Sequence, residues 1–88
     1  MITAQEAKDL TAQALEESLG PDTLGYVSRE IKRATSNKEI SVSISALTEA
    51  KATDLGRLCA LYGYEAELHR NGALGNTLII RWSDEANN

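Results

Sequence analysis

Residues 39–46 read EISVSISA. Ile40, Val42 and Ile44 alternate with Ser41, Ser43 and Ser45, so an extended chain puts the β-branched residues on one side and the hydroxyls on the other. Such a strand cannot stand alone. Its apolar side needs a cover and its backbone needs neighbouring strands, and the rest of a short chain must supply both.

Upstream, the period is helical. TAQE (residues 3–6) has the form of a capping box, in which Thr3 accepts from an amide three residues on and Glu6 reaches back to the Thr3 amide. Ala4, Ala7, Leu10, Thr11, Ala14, Leu15 and Leu19 then share one side of a helix, which Gly20-Pro21 ends. A second helix is expected from Pro21 or Asp22, with Leu24, Val27, Ile31 and Ala34 as its apolar stripe, fraying out in TSNKE. With almost no linker between them, the two helices should form an antiparallel hairpin.

Downstream, Thr48 opens a third helix with Leu47, Leu55, Leu58, Cys59 and Tyr62 along one face, and Gly63 suits a left-handed C-cap with Tyr64 folding back. Tyr64, Ala66 and Leu68 alternate with Glu65, Glu67 and His69. RNGALGN supplies turn glycines and an Asn-Gly hairpin signal, and TLIIRW returns with Leu78, Ile80 and Trp82 on one face. The expectation is an α+β domain of order α-α-β-α-β-β, a three-stranded sheet with helices packed on one face. One domain spans residues 1–82, a helical hairpin (1–36) and a β-α-β-β unit (38–82), with a polar tail at 83–88.

Eighty-eight residues without phenylalanine give a small aliphatic core. A chain of this size buries roughly 60–65% of the surface it exposes when unfolded. Self-association would add to such a core, and with an Ala-rich stripe on the first helix too thin to fill it, a homodimer or higher even-numbered oligomer is expected to pack through the N-terminal helical hairpin. The net charge is −4. Residues 1–20 carry Glu6, Asp9, Glu16 and Glu17 against Lys8, so no basic stripe exists for duplex nucleic acid. No apolar run reaches membrane-span length and MITAQEAKDL has no leader character, which points to the cytoplasm. The single cysteine, Cys59, excludes an internal disulfide and a multi-cysteine zinc site.

Three constellations could carry function. Glu65, Glu67 and His69 share a strand face, but alternate strand residues lie ~6.5–7 Å apart in a straight row and converge poorly on a metal. They are expected to be a solvated face with cross-strand charge pairing to Arg70 and Arg81, so metal and chelator should leave the protein unchanged. Arg29, Lys32 and Arg33 form the best basic cluster, able to hold phosphates with Tyr26 stacking on a base. Ser43, Thr77, Ile79 and Arg81 should lie on the helix-free sheet face, a possible docking surface. No phosphate loop, nucleophile elbow or catalytic constellation is present, so neither an enzyme nor a cofactor is expected.

The plan as a whole, ITAQEAKDLTAQAL at the start, SVSIS in the middle, and LYGYEAEL followed by GNTLIIRW at the close, resembles small uncharacterised accessory proteins of tailed bacteriophages. The resemblance implies a host bacterial cytoplasm and roles such as counter-defence, host takeover or virion structure. The expected function is non-catalytic binding to a host or phage protein. The alternatives are an oligomeric sponge that sequesters a signalling nucleotide and a minor structural component of the virion.

Overall fold

A computed structural model describes residues 1–82; the tail expected at 83–88 lies outside the described residues. The elements follow the expected order: α1 (Ala4–Leu19), α2 (Pro21–Ser36), β1 (Ser41–Leu47), α3 (Glu49–Leu61), β2 (Glu65–Arg70), a 3-10 turn (Gly72–Leu74) and β3 (Asn76–Arg81). The last strand in sequence is the middle one in space. The sheet runs β1-β3-β2, and β3 is antiparallel to both neighbours. Pairing Ser43 with Ile79 and Glu67 with Ile79 sets the face: Val42, Ile44, Leu78 and Ile80 turn to the helices and are buried, while Ser43 and Glu67 turn away and are exposed.

Local chemistry explains the element ends. Thr3 accepts from the Glu6 amide at 3.1 Å, and the Glu6 carboxylate accepts from the Thr3 hydroxyl at 3.2 Å. Thr48 caps α3 by accepting from the Lys51 amide at 3.2 Å. Gly20, at φ 86 and ψ 160, ends α1 and starts α2 as a single residue, in a backbone region that is essentially glycine-only. Gly63 is left-handed at φ 91, and the Tyr64 amide reaches back to the Cys59 carbonyl at 2.9 Å, as expected of that cap.

The second helix does not fray. Its end closes in the same way around Lys38, at φ 63, with the Glu39 amide donating to the Ala34 carbonyl at 2.9 Å. A lysine here carries a left-handed penalty of roughly 1–2 kcal/mol, partly offset in any glycine replacement by roughly 0.5–1 kcal/mol of lost chain entropy. Lys38→Gly is therefore expected to stabilise the domain by about 0.5–1 kcal/mol in urea denaturation.

Four expectations are corrected by packing. Ile40 is not an inward strand residue: it precedes β1 and is 48% exposed, its carbonyl accepting from the Trp82 amide. Leu47 is buried as the last residue of β1, not on α3. Tyr62 is not on the inward side of α3: as its C-cap residue it is 60% exposed. In α1, Leu15 and Leu19 are buried, but Ala4, Thr11 and Ala14 are exposed and Leu10 is 57% exposed. The helix has turned so that its two large leucines, with Ala12 beside them, meet the core, because a leucine contributes far more buried area. It rests chiefly on α3 instead of along α2, and the Ser18 hydroxyl donates to Asp54 of α3 at 2.8 Å.

Candidate functional site

His69, Glu65 and Glu67 lie on the open face of β2 as expected. Glu67 accepts from Arg81 across the sheet at 2.8 Å and stands 3.5 Å from His69. Arg70 turns off the sheet and grips Glu49 in the first turn of α3, with Nη2 to Oε1 at 2.7 Å and Nε to the same oxygen at 3.1 Å. Asn76 donates to the other oxygen of Glu49 at 3.2 Å. Among the described residues no group of His, Cys, Asp and Glu is placed to hold a metal ion.

These pairs give a pH signature. Hydrogen bonds from Arg70 hold the Glu49 carboxyl below its usual 4.5, and those from Arg81, then His69, do the same for Glu67. A carboxyl with a depressed folded-state pKa contributes stability that is present above pH 4.5 and is lost as pH falls through the lowered value. Acid titration of unfolding should therefore show stability declining from about pH 4.5 downward. Arg70→Gln should flatten that limb by slightly lowering stability above pH 4.5 while leaving the acid end unchanged, and the drop is small because both partners are solvent-exposed.

The basic cluster is less concentrated than its sequence spacing suggests. Arg33 faces Glu30 at 3.4 Å and Glu39 at 3.6 Å, so part of its charge is answered within the chain. Tyr26, Arg29 and Lys32 are exposed on α2. The sheet-face residues are brought together: Ser43 pairs with Ile79, and Ser41 with Arg81. The polar groups of Thr77 and Arg81 are engaged with neighbouring side chains. Asn71 donates to the Thr77 hydroxyl at 2.9 Å, that hydroxyl reaches Ser45 at 3.5 Å, and Arg81 holds Glu67.

A largely apolar concavity lies elsewhere. α2 rests on β1 and α3 on β2 and β3, and the backbones of α2 and α3 barely approach each other. Between them is a groove of about 420 Å³, walled by Leu24, Val27 and Ile31 of α2 and by Leu55 and Leu58 of α3. Tyr62 and Tyr64 flank the end of α3 in the same lining, Glu16 of α1 adds a carboxylate and Ser28 a hydroxyl. Tyr62 also lines a smaller depression of about 250 Å³ beside Lys8, Asp9 and Ala12 of α1. Trp82 braces Tyr64 from behind, edge to face, with ring centroids 6.0 Å apart.

Cys59 belongs to this groove, but burial pushes its thiol up to about 11, which leaves it a poor nucleophile. None of the groove residues stood out in the sequence as a site, because Leu24, Val27 and Ile31 have the spacing of an ordinary core stripe. The tyrosine pair around Gly63 was the one usable signal, since tyrosine with an exposed ring is enriched at interfaces. A comparison with family models, curated proteins and solved structures finds no match.

Proposed function

We propose that this chain is a non-catalytic binding domain whose α2–α3 groove receives an apolar-faced segment of a partner protein, of host or phage origin as the sequence resemblance implies. The observation that carries the reading is the groove itself: half-buried Leu24 and Ile31 stand over a floor of buried Val27, Leu55 and Leu58, with Tyr62 60% exposed at its end. Helix-lined grooves take amphipathic helices, which place anchors at helical spacing between the two walls. Each leucine-sized anchor buried there contributes about 1.5–3 kcal/mol before the costs of ordering are met.

Charge narrows the partner. Glu16 lies in the lining and α1, which carries it, is acidic overall, with Glu6, Asp9, Glu16 and Glu17 against Lys8. A partner segment with basic residues flanking its apolar face is the complementary chemistry. The nucleotide-sponge alternative draws less support, because Arg33 already faces two carboxylates. Binding without catalysis fits a groove whose one thiol is held neutral by burial.

A displayed library of amphipathic helical peptides, selected against the wild-type protein alone and then compared for binding to Ile31→Asp, tests the reading. Peptides with large apolar anchors and basic flanks should be enriched, and Ile31→Asp should weaken them at least about tenfold, roughly 1.4 kcal/mol. Enrichment of peptides indifferent to Ile31→Asp would overturn it. So would a thermal shift with cyclic dinucleotides or ADP-ribose derivatives that is lost on Arg33→Ala.

A further inference from the structure

The two outer strands of the sheet are built differently. β2 carries Glu65, Glu67, His69 and Arg70 along its length, and charges of this kind blunt an edge against pairing with another chain. β1, SVSISAL, has no charged residue. The register shows which of its backbone groups face outward. The Trp82 amide donates to the Ile40 carbonyl at 2.9 Å, and extending the Ser41–Arg81 pairing by one residue sets Ile40 opposite Trp82. Ile40, Val42 and Ile44 therefore direct their hydrogen bonds to β3. By the two-residue alternation of an antiparallel ladder, Ser41 and Ser43 direct amide and carbonyl away from the sheet. Among the described residues, Ser41 and Ser43 make no backbone hydrogen bond to a loop or helix.

We propose that β1 pairs antiparallel with β1 of a second copy across a two-fold axis at Ser43, joining two three-stranded sheets into one continuous sheet. The strand is complementary to itself in this register. Ser43 meets its own copy and Ser41 meets Ser45 of the second copy, so the hydroxyls continue across the open face. Val42 falls beside Ile44 of the second copy on the helix-covered side. Ile40, 48% exposed in the single chain, is brought against the second copy near the bulge that interrupts the β1 register after Ile44.

The asymmetry of the edges also explains why pairing would stop at two. A neutral edge on one side and a charged edge on the other permits a closed pair but no open-ended stack. The exposed stripe of α1 is a weaker competitor for this contact. It offers Leu10 among alanines, which is little area for a stable interface.

Sedimentation velocity on the full chain tests the proposal through a charge swap at the two-fold axis. The wild type should sediment as a dimer at micromolar concentration. Ser43→Asp and Ser43→Lys, each placing like charges directly opposite, should dimerise at least about tenfold more weakly. An equimolar mixture should recover the dimer as a mixed species, which misfolding of either variant could not produce. Leu10→Asp should leave the dimer intact. A monomeric wild type would overturn the proposal. So would Ser43 variants that dimerise like the wild type, or a mixture that stays monomeric.

Discussion

Gly75→Val is expected to destabilise the domain by about 3–5 kcal/mol. Two independent effects combine there. Gly75 sits at φ 82 and ψ −169, a backbone region that side-chain-bearing residues adopt at a cost of roughly 1–3 kcal/mol. A Cβ at this position would also stand 3.2 Å from the Ala46 Cα and 3.5 Å from its carbonyl carbon, which are backbone atoms and cannot swing aside. Ala46 is itself held at φ 61 in the β1 bulge, where the register shifts between Ile44 and Leu47. The hairpin turn and the bulge therefore interlock, and a side chain between them pushes β1 off β3. For a domain of this length total stability is about 4–13 kcal/mol, so the variant would lose a third or more of it in the typical case. Urea denaturation followed by circular dichroism reads this. Gly72→Ala is the control, because Gly72 is left-handed at φ 62 but has nothing within 4 Å, and should cost about 1–2 kcal/mol. Equal losses in the two variants would show that the close approach to Ala46 is not what Gly75 serves.

Ile44→Ala should cost about 2–5 kcal/mol, whereas Leu10→Ala should cost under about 0.5 kcal/mol in the single chain. Ile44 is 0% exposed, pairs with Leu78 across β1 and β3, and belongs to the one cluster that includes Leu55, Leu58 and Ile80. Truncating it leaves a cavity at the junction of sheet and helices, where the neighbours are already in close contact and relax only in part. Leu10 lies on the far side of α1 from that cluster, and removing it deletes surface that is largely hydrated already. A large effect at Leu10 with a small one at Ile44 would mean that α1 presents its alanine stripe to the core after all.

That contrast marks how far the sequence could be read. The alternation of Val42 and Ile44 with serines, the caps at Thr3, Thr48 and Gly63, and the Gly20-Pro21 break are local signals, and each placed its element where the structure has it. The rotation of α1 was not legible, because the Ala4–Ala14 stripe and the Leu15–Leu19 edge both satisfy a helical period. Choosing between them depends on what α3 offers. Ile40 has the right period for the strand but lies one residue outside it. Non-local geometry also hid the groove: Val27 and Leu58 are buried core residues of their own helices, and only the separation of α2 from α3 makes them the floor of a shared concavity. The residues picked out as chemistry, Glu67 and His69 above all, were legible for the opposite reason, since charges on alternate strand positions pair with whatever lies across the sheet.

Methyl-resolved NMR titration of the protein with an amphipathic, basically flanked helical peptide taken from the display selection locates the binding surface. Groove binding predicts that shifts concentrate on the methyls of Leu24, Val27, Ile31, Leu55 and Leu58 and are lost in Ile31→Asp. Shifts concentrated instead on Ile79 of the open sheet face or on Leu10 of α1, with the groove methyls silent, would contradict it.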